Sequence, residues 1–156
     1  MKTINFVNIN DITCLEHIGH NCLPIYYDQH YIKQFIYDKN YLLLKATFNN
    51  FIVGFVFCKI EENNIHILSI AVLEKYRRKE IGSELIKKII TLYDKFTISL
   101  NVIETNLAAI NFYHKLGFII NNIIYNYYTT LNNKNALFMI YKKKLPCELN
   151  IRFVDL

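Results

Sequence analysis

The sequence predicts one mixed α/β domain, a mostly antiparallel sheet of about seven strands flanked by about four helices. Three observations carry that prediction. The chain has 156 residues, the length of a single domain and enough to bury roughly 68–70% of the surface its unfolded form exposes. Hydrophobic residues make up 53% of it, while glycine (4) and proline (2) are scarce, so neither linker nor low-complexity segment interrupts it. Strand and helix periods follow in the order β-α-α-β-β-β-α-β-α-β-β, antiparallel runs first and alternation afterwards. The domain is taken as residues 1–145, with 146–156 as a C-terminal tail.

The segment "INFVNI" (4–9) alternates as a strand, and Asp11 is placed to cap a helix running to about Asn21. After "LPIYY", bent at Pro24, Asp28 caps a second helix to Tyr37. "YLLLKATF" and "FIVGFVFCKI" flank a two-residue Asn49-Asn50 turn, and "ENN" (62–64) leads into "IHILSIAVL". These are three antiparallel strands. From Ile81, the positions Leu85, Ile86, Ile89, Ile90 and Tyr93 mark one helical face, with Glu84, Lys87 and Lys88 opposite. "TISLNVI" is a buried strand, Asn106 caps a helix over Leu107 to Lys115, and Gly117 ends it. "FIINNIIYNYY" and "ALFMIYKKKL" close the chain as two strands around the polar "TTLNNKN".

The net charge of +5 is gathered in "YRRK", "IKK" and "YKKKL", which suits phosphate-bearing ligands, RNA-rich neighbours such as ribosomes and plain solubility alike, and no RNA-binding signature is present. Cys14, Cys22, Cys58 and Cys147 form no C-x-x-C pair, and no histidine cluster has metal-ligand spacing. We expect reduced structural thiols and no metal. The N-terminus lacks a signal-peptide apolar region, and no run of about 18 apolar residues occurs. A cytoplasmic or nuclear protein without a membrane span is expected.

"YRRKEIGSELIKKII" (76–90) reads as a basic, phosphate-binding turn opening onto a helix, with Glu80 where an anion would approach. If Glu80 has helical dihedrals it can point to solvent; if it takes φ > 0, its side chain is costly. With "AAINFYHKLGF" after the next strand, this turn resembles the GCN5-related N-acetyltransferase (GNAT) superfamily over essentially the whole chain. That family's Q/R-x-x-G-x-G/A signature falls on Arg77, Arg78, Lys79, Glu80, Ile81 and Gly82. Its N-x-x-A-x-x-F-Y-x-k-x-G-F motif is matched by Asn106, Ala109, Phe112, Tyr113, Lys115, Gly117 and Phe118. Three segments, "LPIYYDQHYIK", "HILSIAV" and "NYY" (126–128), are similar to the NatE and NatF types of N-terminal acetyltransferase.

The resemblance implies the GNAT fold, splayed between the fourth and fifth strands, and acetyl-CoA as cofactor. Acetyl transfer needs a held thioester, a neutral amine, a stabilised oxyanion and a protonated thiolate. Backbone N–H groups from Lys79 to Ser83 would face the pyrophosphate at the helix N-terminus. The fourth strand at Leu68, Ile70 and Val72 would meet the thioester arm, and Asn106 would add a contact. Tyr113 would protonate the thiolate. His66 is the candidate base, because histidine titrates near the working pH and this one sits in an apolar strand, where a structural role is the other reading. At its position the NatE and NatF enzymes have tyrosine, whereas NatA and NatB have histidine. Asn101 stands where the family usually has a water-holding histidine, and it can orient a water but not accept a proton. By position, Leu23, Pro24, Ile25, Tyr27, Leu68, Tyr127 and Tyr128 inherit the walls of the peptide slot.

The function expected is acetyl-CoA-dependent protein N-alpha-acetylation of nascent or protein N-termini, with Met followed by a hydrophobic residue as acceptor and direct attack on the thioester. One alternative is a GNAT enzyme acting on lysine side chains or small amines. Another, motivated by Glu80 and Asn101, is a non-catalytic acyl-CoA-binding or adaptor subunit of a ribosome-associated acetylation complex. An acetylation complex is the expected partner beyond the peptide itself, with no sequence-specific nucleic-acid binding.

Overall fold

The structure is a computed structural model that describes residues 1–132 and 134–143. The expected tail (146–156) and Cys147 lie outside the described residues. The chain divides into two compact units, Met1–Asn101 and a second beginning at Val102.

The first unit contains β1 (Lys2–Phe6), α1 (Ile12–Cys22), α2 (Gln29–Tyr37), β2 (Tyr41–Phe48), β3 (Phe51–Ile60), β4 (Asn64–Val72), α3 (Ile81–Leu92) and most of β5 (Thr97–Ile103). Strands β1 to β4 pair antiparallel in chain order, and β4 pairs parallel with β5. The β2–β3 turn is the Asn49-Asn50 pair, both at positive φ (49° and 69°), the arrangement whose twist matches a two-residue hairpin. Alternation divides the sheet residues between two cores. Leu43, Phe55, Phe57 and Ala71 pack with Ile12, Leu15, Ile18, Ile32 and Phe35 of α1 and α2. The intervening Leu44, Val56 and Cys58 are buried toward the other face, where Ile81, Leu85, Ile86 and Ile89 give α3 its buried stripe. Each such side chain contributes roughly 1.5–3 kcal/mol by leaving water. Burial also pushes the Cys58 thiol far above its ordinary range, which makes it inert.

The second unit contains α4 (Leu107–Leu116), β6 (Phe118–Tyr128) and β7 (Lys134–Tyr141), with β6 and β7 antiparallel. Asn106 caps α4 as expected, its side chain accepting from the Ala109 N–H at 3.1 Å. Gly117 ends the helix at φ 102°, a conformation that costs any residue with a Cβ.

Two local expectations need correction. The first strand ends at Phe6 rather than Ile9, because Asn8 and Asp11 close a capping box around a 3-10 turn at Ile9–Asp11. Asp11 does not cap α1 with its side chain. It accepts instead from the Asn8 N–H at 2.7 Å and pairs with Lys45 Nζ at 2.7 Å, both side chains nearly excluded from water.

Candidate active site

Strands β4 and β5 pair from Asn64 with Thr97 to Ile67 with Leu100 and no further, although β4 continues to Val72 alongside β3. This is the expected splay. It begins at a bulge: Cys58 faces Ile67 and Phe57 faces Ser69, which leaves Leu68 as an extra residue of β4. A bulge re-aims the strand and frees a backbone group. Ile70 follows it, half-buried opposite Val56.

His66 and Ser99 are register partners across the parallel pair, and Asn101, two residues beyond Ser99, shares their face. His66 Nδ1 lies 2.9 Å from Ser99 Oγ. Burial is the largest influence on the imidazole and lowers its pKa from 6.5, with Glu61 pulling up and Lys59 pushing down. The ring is therefore neutral at pH 7, the state a base requires. Nearby, the buried Asn101 Oδ1 and Ser69 Oγ have no hydrogen-bond partner. Such atoms cost about 1–3 kcal/mol each when orphaned, and both can accept a hydrogen bond from a group placed beside them. Ser69 and Ser99 escaped sequence reasoning. The available signal was a serine interrupting each of two apolar stretches, "ILSI" (67–70) and "ISL" (98–100).

On the same face, Leu23, Tyr27 and Leu68 all pack against the α1/α2 cluster, Tyr27 also meeting Phe35 edge-on at 5.0 Å. Pro24 and Ile25 are exposed in the loop between the two helices. Three expected slot residues are thus gathered and two stand at its outside.

The basic turn has left-handed dihedrals at Arg78 (φ 62°) and Glu80 (φ 62°, ψ 7°). The helical alternative for Glu80 is therefore excluded: the signature's glycine position keeps a glycine conformation with a carboxylate on it. The Glu80 side chain is exposed, and α3 receives no side-chain cap, whereas Asp28 and Asn106 cap α2 and α4. The amides of Ile81, Gly82 and Ser83 thus open an uncapped N-terminus, where partial positive charge favours an anion. Two of the basic side chains are engaged structurally: Arg77 Nε donates to the Val72 carbonyl at 3.0 Å, and Lys79 Nζ lies 5.3 Å from the centre of the Phe48 ring.

In the second unit, Tyr113 is buried on α4 between Phe112 and Phe118, at ring distances of 5.1 and 5.6 Å. Tyr127 is half-exposed, while burial, with Tyr127's charge adding, raises the Tyr128 hydroxyl to about 12. Among the described residues no group of three or more His, Cys, Asp or Glu could hold a metal, and no helix is long and apolar enough to cross a membrane.

Residues 8–118 match the family described as "Acetyltransferase (GNAT) family". The N-terminal acetyltransferase complex ARD1 subunit homolog of Dictyostelium discoideum is 29% identical, covering 95% of this chain and 77% of its own. The N-terminal acetyltransferase A complex catalytic subunit NAA10 of Arabidopsis thaliana is 31% identical, covering 82% and 72%. Arabidopsis thaliana Naa50, solved in complex with the bisubstrate analogue CoA-Ac-MVNAL, superposes with a TM-score of 0.80 at 25% identity, covering 91% of this chain and 99% of that one. The uncapped α3 turn and the splayed β4 edge fit acetyl-CoA. The chain belongs to the GNAT family of acetyltransferases and is an acetyl-CoA-dependent acyltransferase.

Proposed function

We propose that the acceptor is the free α-amine of a protein or peptide N-terminus, with Met followed by a hydrophobic residue preferred. The observation that carries this is the shared face of the first unit. A neutral histidine, an orphaned asparagine oxygen and an apolar cluster edged by Leu23, Tyr27 and Leu68 lie together there. An α-amine with pKa about 7.7–8.0 is already roughly 10–15% neutral at pH 7, whereas a lysine amine at about 10.4 is neutral roughly 0.04% of the time. A single histidine, without a second base at Asn101, suits the less demanding acceptor.

Acetyl-CoA supplies the activated acyl group. The amides from Lys79 to Ser83, with Arg77, Arg78 and Lys79 around them, hold its phosphates, and the β4 edge from Leu68 through Ile70 to Val72 offers N–H groups to the acyl oxygen. His66 takes the proton of the amine, and Asn101 orients a water beside it. Leu23, Pro24, Ile25 and Tyr27 hold the peptide. Asn106 retains its amide N–H donors for the cofactor while its oxygen caps α4. A role in an N-terminal acetylation complex accords with the relatives' names.

Incubation with acetyl-CoA and a panel of peptides decides the acceptor. Turnover should be highest on free Met-hydrophobic N-termini. Reaction only with N-terminally blocked, lysine-containing peptides or with small amines would overturn the reading.

Tyr113 has the role of thiolate partner. Its hydroxyl can donate a hydrogen bond to the leaving thiolate or pass it a proton. The hydrogen bond contributes about 1.5–3 kcal/mol. Tyr113→Phe keeps the ring packing and should lower kcat roughly 10- to 100-fold with little change in acetyl-CoA affinity, as measured by kinetics beside calorimetry. Collapse of affinity instead would make Tyr113 a binding residue.

Glu80 has a separate test. A non-glycine residue in the left-handed region costs of order 1–3 kcal/mol, and glycine returns about 0.4–1 of that through the freedom of the unfolded chain. Glu80→Gly should therefore stabilise the protein by about 1 kcal/mol, roughly 2–4 °C in Tm. It should also tighten acetyl-CoA binding, most visibly at low salt. A lowered Tm would count against the strain, and unchanged affinity would show the carboxylate to be harmless.

A further inference from the structure

The basic turn before α3 is tied to the sheet edge by a residue 77 positions upstream. Lys2, the first residue of β1, donates from Nζ to the Lys79 carbonyl at 3.1 Å and forms an ion pair with Glu84 of α3. Lys2 faces Phe48 in the β1–β2 register, and the Lys79 ammonium lies 5.3 Å from the centre of the Phe48 ring. Both ends of residue 79, carbonyl and side chain, are thus attached to the same edge of the first unit.

The Lys79 carbonyl and the Glu80 N–H belong to one planar peptide unit and point in opposite directions. Fixing one fixes the other. Glu80 has φ 62°, an unfavourable value for a residue with a Cβ. Rotating this peptide unit by about half a turn would bring φ of Glu80 back to negative values and swing the Lys79 oxygen to where the N–H now points. An oxygen there repels a phosphate that the N–H attracts. The strain therefore drives the turn toward a form that meets an anion with the wrong group, and the Lys2 hydrogen bond opposes it. The Lys2 and Glu84 side chains are 30% and 36% exposed, so the effect expected of the tie is a few-fold one.

We infer that Lys2, aimed by Glu84, is a positioning residue for acetyl-CoA: it holds the Lys79–Glu80 peptide unit with its N–H, rather than its carbonyl, toward the cofactor's phosphates. The inference rests on the proposed reading in which the amides from Lys79 to Ser83 hold those phosphates. It adds what keeps a turn with left-handed Arg78 and Glu80 in its anion-binding form.

Calorimetry with acetyl-CoA compares wild type, Lys2→Met, which keeps an unbranched apolar stem, Glu80→Gly and the double variant. Lys2→Met should raise the Kd for acetyl-CoA roughly two- to fivefold, with kcat at saturating acetyl-CoA and the KM for peptide unchanged. In the Glu80→Gly background the left-handed conformation carries no side-chain cost, so Lys2→Met should change Kd there by less than roughly twofold. Equal losses in the two backgrounds would reduce Lys2 to a positive charge near an anion and overturn the inference, as would an unchanged Kd in Lys2→Met. Amide 1H–15N spectra with and without CoA judge the underlying reading separately: the resonances of Ile81, Gly82 and Ser83 should move when CoA is added. If they stay in place while CoA binds, the phosphate turn is misassigned and the inference falls with it. If they move while wild type and Lys2→Met share one Kd, the reading stands and Lys2 has no part in it.

Discussion

Replacing His66 by alanine should lower kcat by about 10²–10⁴, the usual contribution of a positioned general base, while the KM for acetyl-CoA stays near wild type. The ring stands within the β4–β5 pairing opposite Ser99, two residues before the bulge at Leu68. The pH dependence has a defined sign. Desolvation holds the imidazole below 6.5, so the base form persists into mildly acidic solution. The fall of kcat on acidification should therefore begin below 6.5 and disappear in His66→Gln. In kcat/KM for peptide, the α-amine's own deprotonation near about 7.7–8.0 adds a second limb that the variant keeps. The same shift acts on folding. Below 6.5 the unfolded chain takes up a proton that the folded chain resists, so wild type loses stability as pH falls through that region. His66→Gln should lose less. Chemical denaturation at pH 5.5 and 7.5 measures the difference, and an equal loss in both proteins would contradict a neutral, buried ring. Unchanged kcat in the alanine variant would remove the base assignment outright.

Local chemistry was legible wherever a few neighbouring residues decide it. Asp28 and Asn106 cap the helices that follow them, Asn49 and Asn50 make the hairpin turn, and Gly117 ends α4, each by its own backbone preference. Strand limits at 41–48, 51–60 and 97–103 followed from apolar runs bounded by polar turns. Two kinds of feature were not legible. The first is pairing across the chain: Ser99 meets His66 from 33 positions away, and Lys45 meets Asp11 from 34. Nothing beside Asp11 distinguishes a helix cap from an ion-pair partner. The second is conformation against type. Arg78 and Glu80 take left-handed dihedrals that their side chains disfavour, and the basic character of the turn hid the fact that Arg77 and Lys79 are held by Val72 and Phe48. The family signature supplied what propensity could not, since it places a glycine where Glu80 stands.

Asp11→Ala should cost about 3–5 kcal/mol, the scale for breaking a buried ion pair by removing one member. Lys45 lies on the face of β2 that carries Leu43, one of the residues packed under α1 and α2. Its ammonium donates to both oxygens of Asp11, at 2.8 and 2.7 Å. The side chains are 14% and 9% exposed, so little screening softens the loss. Alanine at position 11 leaves a cation among Phe55, Leu43 and the start of α1, and it also opens the capping box by freeing the Asn8 N–H. Removing both charges is a different experiment. In Asp11→Ala/Lys45→Met no uncompensated charge stays behind, and replacing a buried pair with apolar groups is often close to neutral. The double variant should recover most of the loss, with a remainder of about 1 kcal/mol from the opened capping box. Urea denaturation of wild type, both single variants and the double variant gives the coupling directly. A double variant as unstable as Asp11→Ala would show that the carboxylate acts through the turn rather than through Lys45. Because the pair sits beneath the start of α1, and Leu23 follows its end, the single variant should also raise the peptide KM at temperatures where it is still folded. In the proposed reading the α3 turn holds acetyl-CoA on the other face of the sheet, so its affinity should not follow.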